Sequence, residues 1–137
     1  MATVQTKYLG GLRTESVHLQ SGSQLITDAP TDNHGRGEAF SPTDLLATAY
    51  GGCVLTIIGI AAQTHGFTID GAEMHITKVM GTNPRRVVEL NAEIILPHNE
   101  YSAKERKIIE LAPKECPVGN SLHPDIKKTV TFTYRGE

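Results

Sequence analysis

The sequence has few of the features that mark several large classes of proteins. It contains no tryptophan, only two cysteines and nearly balanced charge, with 13 Lys and Arg against 15 Asp and Glu. Two cysteines exclude a disulfide-rich scaffold and a four-cysteine zinc site. The balanced charge offers no basic surface for nucleic acid or for an anionic membrane. The six histidines lack the spacings of zinc or iron sites, so we expect neither a metal nor a cofactor.

The length and the N-terminal segment suggest a simple organisation. A chain of 137 residues fits one domain, and we predict a single domain over residues 1–137. The first residues show no basic segment followed by an apolar one, so the sequence predicts no secretory signal and a cytoplasmic location. Persistent structural disulfides are rare in the reducing cytosol, which raises the question of what the two thiols do.

Segments with strand-like patterns lie at both ends of the chain and between two helices. Gly10 and Gly11 predict the turn of a hairpin, and alternating apolar and polar residues predict the later strands. The predicted strands cover residues 4–9, 12–19, 24–27, 74–80, 88–94 and 130–134. Ser102 and Glu105 have the spacing of a capping box for a second helix that ends before Pro113. This order of elements indicates an α+β fold.

Twenty residues without a formal charge, Leu45 to Thr64, form most of a long predicted helix. Ser41 before Pro42 is a good N-cap, Asp44 can complete a capping box, and Gly66 is typical of a C-cap. The polar residues in this run and the lack of cationic flanks argue against a membrane span. A helix that is apolar on nearly all sides must be covered on all sides, so we expect a second copy of the chain to cover part of it. Small residues would let another backbone approach closely: Ala47, Ala49, Gly51, Gly52 and Gly59.

The two cysteines have two interpretations on sequence grounds. Cys53 lies near the middle of the long helix, and Cys116 follows the second helix and precedes a proline. Cys53 can be a small core residue and Cys116 an incidental surface residue, since free cysteine is often buried. They can equally be a redox pair, in which one thiolate attacks a substrate and the other sulfur forms a disulfide with it. Their separation in the sequence does not decide between the two.

Two segments carry a resemblance to a known family. The first is SPTDLLATAYGGC, from Ser41 to Cys53, and the second is CPVGNSL, from Cys116 to Leu122. They resemble the OsmC/Ohr family, the osmotically induced and organic hydroperoxide resistance proteins of bacteria, and the resemblance extends over nearly the whole chain. It implies an OsmC-like fold, with antiparallel sheets wrapped around two long central helices in an intertwined homodimer.

The resemblance also implies an activity and roles for both cysteines. Cys53 matches the peroxidatic cysteine, which becomes a sulfenic acid, and Cys116 matches the resolving cysteine, which condenses with it. The implied reductant is an external dithiol, from a lipoylated or thioredoxin-like protein. We expect organic hydroperoxides as substrates because the helix around Cys53 is apolar, with hydrogen peroxide a further possibility. Two alternatives stay open: a small-ligand-binding protein of this fold, and a thiol redox sensor without efficient peroxidase activity.

The family activates its reactive sulfur with an arginine that a carboxylate holds in place. Typical members carry Glu where this chain has Thr43, so the acid is either lost or moved to Asp44. The alternative role of Asp44 is capping of the helix. Arg36 and Arg13 are the candidate arginines, with solvated surface charges as the alternative. Arg36 is favoured because its loop leads directly into the helix that carries the first thiol.

We expect the substrate pocket to be lined by residues of the long helix. Tyr50 lies one helical turn before Cys53, on the same face, and core packing is its alternative role. Thr43 at the start of the helix and Ile57, one turn after Cys53, complete the predicted lining.

Overall fold

A computed structural model describes all residues from 1 to 137, with six strands and three α-helices. The predicted α+β class is confirmed. The contacts within the chain divide it into two compact units, Met1–Leu46 and Ala47–Glu137. The elements, in chain order, are β1 (Val4–Gly10), β2 (Arg13–His18), β3 (Gln24–Asp28), α1 (Pro42–Thr64), β4 (Glu73–Gly81), β5 (Arg86–Leu96), α2 (Ala103–Leu111), α3 (Pro117–Ser121) and β6 (Lys127–Tyr134).

The first unit contains a three-stranded antiparallel sheet in the order β1-β2-β3. The predicted hairpin is confirmed, but its turn lies one residue later, at Gly11 and Leu12, because Gly10 still pairs with Arg13 at the end of β1. Gly10 and Gly11 have φ angles of 91° and 61°, which glycine adopts without the steric cost of a side chain. The register of β2 and β3 places Arg13 directly opposite Asp28. This pairing brings a cation and a carboxylate together at the end of the sheet.

Helix α1 begins and ends as its sequence predicts. The Ser41 N–H donates to the Asp44 carboxylate (2.9 Å), and the Asp44 N–H donates to Ser41 Oγ (3.0 Å), which forms a capping box. At the other end Gly66 has a φ of 78°, and the Phe67 N–H donates to the Ala62 carbonyl (3.0 Å). This is the pattern of a Schellman motif, in which a left-handed glycine ends the helix.

One stripe of α1 is buried within the chain, and the opposite face is open. The buried residues recur every three or four positions: Ala47, Tyr50, Gly51, Val54, Ile58 and Ala62. The open face is uncharged, and Ile60 on it is 54% exposed. By length and composition α1 could cross a membrane, and 33% of its most apolar window is buried. A single such helix is weak evidence for a membrane span, because the core helix of a soluble protein can have the same length and composition.

The second unit contains a three-stranded sheet in the order β4-β5-β6. Strands β4 and β5 form an antiparallel hairpin, whereas β6 pairs with β5 in parallel. The prediction of wholly antiparallel sheets is therefore wrong for this pair. Parallel neighbours need a long crossover, and α2 and α3 supply it between β5 and β6. Ile76 of β4 lies against Gly51, so this face of the sheet covers α1.

Helix α2 has the predicted capping box, whereas helix α3 was not predicted. The Glu105 N–H donates to Ser102 Oγ (3.1 Å), and the Ser102 N–H donates to Glu105 Oε1 (2.8 Å). After α2 the chain makes a 3₁₀ turn over Ala112–Glu115. Cys116 then serves as the N-cap of α3, and Pro117 occupies its first position.

Candidate functional site

Cys116 is fixed at the start of α3. Its thiol sulfur accepts a hydrogen bond from the Gly119 N–H (3.3 Å), in the place that a serine oxygen commonly takes at a helix N-cap. The residue is 1% exposed. The sulfur is therefore held in one position and shielded from solvent.

The thiols of Cys53 and Cys116 are in hydrogen-bond contact. Both are free, but Cys53 is partly exposed whereas Cys116 is buried. Burial is the main cause that raises the pKa of the Cys116 thiol, and the hydrogen bond with Cys53 adds to it, while the Gly119 N–H acts in the opposite direction. The two sulfurs thus differ in accessibility although they are neighbours.

Tyr50 packs beside the buried sulfur. Its side chain is 3% exposed, and a Cβ placed on Gly119 would lie 3.2 Å from Tyr50 Cε1 and 3.7 Å from Cys116 Sγ. Burial raises the pKa of the Tyr50 hydroxyl, and the charge of a Cys116 thiolate would raise it further. Glycine at position 119 therefore leaves just enough room for the ring and the sulfur. Ile57 is half-buried on α1.

Two arginines lie around one buried carboxylate in the first unit. Arg13 donates from Nε to Asp28 Oδ1 (2.7 Å) and from Nη2 to Asp28 Oδ2 (2.8 Å), and Nη2 also reaches Glu38 Oε1 (3.2 Å). The guanidinium of Arg36 lies against Gly11, and its charge acts on Asp28. A bidentate pair of this kind fixes the plane of the guanidinium group.

Arg13 and Asp28 each stabilise the charged form of the other. The hydrogen bond from Arg13 is the main cause that holds the pKa of Asp28 below its ordinary value. In return, the hydrogen bond to Asp28 is the main cause that raises the pKa of Arg13. Asp28 is 1% exposed, so its charge depends on these partners.

The structure brings some of the predicted site residues together. Cys53, Cys116 and Tyr50 form one cluster in the second unit, and Arg13 and Arg36 share Asp28 in the first. Asp44 forms the capping box of α1, and the Thr43 hydroxyl lies 3.1 Å from Ser41 Oγ. No three His, Cys, Asp or Glu side chains are arranged to hold a metal ion.

Three residues of these clusters were missed from the sequence: Asp28, Glu38 and Gly119. The turn signal at Ser21 and Gly22 does not give the pairing of Arg13 with Asp28, because counting outward from it would place Glu15 opposite Asp28. A polar residue followed by proline is a signal for a helix start, and it would have predicted α3 after Cys116. Glu38 and Gly119 have no comparable local signal.

The family relationship is direct. The sequence profile of the family described as OsmC-like protein matches residues 35–131, a range that contains both cysteines. The chain therefore belongs to the OsmC-like family, and the resemblance of its two cysteine segments is confirmed. No match was found among curated proteins.

Solved structures share the fold over almost the whole chain. A protein from Psychrobacter arcticus 273-4, named provisionally for osmotic stress induction and a detoxification response, is 48% identical, with 96% of each chain covered and a TM-score of 0.91. An OsmC like protein from Mycoplasma pneumoniae is 21% identical, with 96% of each chain covered and a TM-score of 0.75. An organic hydroperoxide resistance protein from Elizabethkingia anophelis is 16% identical, with 98% of each chain covered and a TM-score of 0.76. The last two similarities show the shared fold.

Proposed function

We propose that the chain is a thiol-dependent peroxidase that reduces organic hydroperoxides in defence against oxidative stress. Cys53 is the peroxidatic cysteine and Cys116 the resolving cysteine. The observation that carries this assignment is the contact between two free thiols of unequal exposure. Family membership supports it, as does the fold shared with organic hydroperoxide resistance proteins.

In the first step the Cys53 thiolate attacks the outer oxygen of the hydroperoxide. An S–O bond forms, the O–O bond breaks, and the alkoxide leaves and takes up a proton to become the alcohol. The sulfur is oxidised to a sulfenic acid and the peroxide is reduced. Cys53 fits this step better than Cys116 because it is the more accessible of the two sulfurs.

In the second step Cys116 attacks the sulfur of the sulfenic acid. An S–S bond forms, the S–O bond breaks, and the hydroxide takes the thiol proton to leave as water. An external dithiol then reduces the disulfide by thiol exchange and is itself oxidised. A lipoylated protein or a thioredoxin-like protein supplies suitable dithiol chemistry.

We assign the activating cation to Arg13 rather than to Arg36. In the family an arginine held by a carboxylate favours the reactive thiolate, and Arg13 is held by Asp28 and Glu38. This gives the carboxylate role to Asp28 and assigns Asp44 to helix capping. In this assignment Asp28 takes the place of the glutamate that typical members carry at the position of Thr43.

The active form in this proposal is a homodimer. The uncharged open face of α1, with Ile60 more than half exposed, supports burial against a second copy. Gly52 and Gly59 leave open space beside the helix, so another backbone can approach there. We place the protein in the cytoplasm, where dithiol reductants are available.

The test is a titration of free thiols in the reduced protein before and after one equivalent of cumene hydroperoxide. Hydrogen peroxide is used in parallel. We expect rapid loss of both thiols and a disulfide between Cys53 and Cys116 within one chain, identified by mass spectrometry. Cys53→Ser should lose turnover, and Cys116→Ser should retain one sulfenic acid per chain after oxidation.

Two results would contradict the proposal. Full turnover by the Cys53→Ser variant would exclude the assigned chemistry. Oxidation of the wild-type protein no faster than that of a free cysteine would show that Thr43 marks a loss of activation, and would favour the ligand-binding alternative. A disulfide that forms only with a protein partner would favour the redox sensor.

A further inference from the structure

Tyr50 occupies a position that neither cysteine role explains. It lies on α1 one helical turn before Cys53, yet its ring packs beside the other sulfur, that of Cys116. The side chain is buried, whereas Cys53 next to it on the helix is partly exposed. One helix therefore carries both the accessible thiol and the side chain that packs beside its partner.

Helix α3 is held on both sides at Gly119. The Tyr50 ring occupies the side on which a side chain at Gly119 would project, and Lys128 Nζ donates to the Gly119 carbonyl (3.0 Å). The N–H of the same residue donates to Cys116 Sγ. Since α3 has only five residues, its own hydrogen bonds give it little stability, and these outside contacts determine where the sulfur lies.

We propose that Tyr50 is a positioning residue for the resolving step. Its ring keeps Cys116 in the N-cap position beside Cys53, so that a Cys53 sulfenic acid becomes a disulfide before it meets a second hydroperoxide. In the competing reaction the sulfenate sulfur attacks another hydroperoxide: a second S–O bond forms, the O–O bond breaks, the alkoxide leaves and takes up a proton to become the alcohol, and the sulfur becomes a sulfinic acid. This inference rests on the proposed peroxidase function.

The experiment compares Tyr50→Leu with Tyr50→Phe under single-turnover conditions. In Tyr50→Leu we expect disulfide formation to slow about tenfold or more relative to the oxidation of Cys53 in the same variant, because small displacements of reacting groups are costly. Sulfinic acid on Cys53 should then appear at lower concentrations of cumene hydroperoxide. Tyr50→Phe retains the ring and should behave as the wild type does.

Tyr101→Leu is the matched control for general damage to the core. Tyr101 is 6% exposed in the same unit, where its hydroxyl donates to the Thr68 carbonyl and its ring packs on Phe67. Its replacement should lower the melting temperature without changing the ratio of disulfide to sulfinic acid. Gly119→Ala is a second variant, because its methyl group enters the contact between Tyr50 and Cys116 without emptying the core.

The outcomes separate the two proposals. If the wild-type protein forms no disulfide with cumene hydroperoxide, the peroxidase function itself is wrong. If it forms one, and if Gly119→Ala and a folded Tyr50→Leu form it at the wild-type rate with no additional sulfinic acid, the role of Tyr50 is wrong. If Tyr50→Leu does not fold, Gly119→Ala alone decides, and an unchanged disulfide rate in that variant overturns the inference.

Discussion

Arg13 and Asp28 face each other across β2 and β3 and form two hydrogen bonds, from Nε to Oδ1 at 2.7 Å and from Nη2 to Oδ2 at 2.8 Å. The Glu38 N–H also donates to Asp28 Oδ2 (3.2 Å). Both oxygens of the buried carboxylate are therefore satisfied, as burial of a charge requires. The pair fixes the plane of the arginine side chain that we assign to activation of Cys53.

The first prediction concerns stability at acidic pH. The folded pKa of Asp28 lies below its ordinary value of 3.8, so the ion pair contributes its full stability above that value. The contribution is lost as the pH falls through the folded pKa. We expect wild-type stability to fall as the pH is lowered below about 5, with a steeper slope than that of Asp28→Asn, measured by urea unfolding.

Asp70→Asn is a control, because this aspartate is exposed. It should retain the wild-type slope, whereas Asp28→Asn should be less stable than the wild type at neutral pH. Parallel curves for the wild type and Asp28→Asn would contradict the stabilising role of the ion pair.

The second prediction separates the two candidate arginines. Arg13→Met should slow the reaction of Cys53 with cumene hydroperoxide by about tenfold or more, because the proposed activation depends on a cation that favours the thiolate. Arg36→Met should have a smaller effect, since no hydrogen bond fixes Arg36 to a carboxylate in the way that Arg13 is fixed. The measurement is the second-order rate of thiol loss by stopped flow. A larger effect of Arg36→Met would return the activating role to Arg36.

The elements that were predicted correctly depend on neighbouring residues. The capping boxes at Ser41 and Ser102, and the helix end at Gly66, follow from side chains within a few positions of each other. The hairpin between β1 and β2 is equally local, although its turn lies one residue later than predicted, at Gly11 and Leu12. Such signals can be read from one sequence because the interacting groups are close along the chain.

The features that were missed depend on distant residues or on the course of the chain. The parallel pairing of β6 with β5 follows from the crossover through α2 and α3, which strand patterns do not reveal. The contact of Cys53 with Cys116 joins two helices, and their spacing in the sequence carries no distance. Asp28 meets Arg13 only through the register of β2 and β3, which the turn signal at Ser21 and Gly22 does not specify.

The third prediction concerns the relative reactivity of the thiols. Iodoacetamide should modify Cys53 of the reduced protein first, and Cys116 distinctly more slowly. Cys116 is shielded, and its raised pKa leaves less thiolate at a given pH. Peptide mass spectrometry at successive times measures both rates. In Cys53→Ser the slow labelling of Cys116 should persist, and equal rates for the two cysteines would contradict the assignment of Cys53 as the accessible nucleophile.

The fourth prediction tests the homodimer through the open face of α1. A Cβ at Gly52 or Gly59 meets nothing within 4 Å in the single chain, so alanine there should stabilise a monomer by about 0.5–1 kcal/mol through helix propensity. If a second copy packs on this face, the added methyl groups instead obstruct the approach of its backbone. We therefore expect Gly52→Ala and Gly59→Ala to weaken dimerisation.

Sedimentation at several protein concentrations measures this effect, and thermal unfolding measures stability in the same samples. Lys107→Ala, an exposed substitution on α2, should leave the dimer unchanged. A monomeric wild-type protein whose stability rises in Gly59→Ala would show that the open face is not an interface between two copies. A dimer that is weakened only by the two glycine substitutions would identify this face as the interface, because the same substitutions are favourable for the isolated helix.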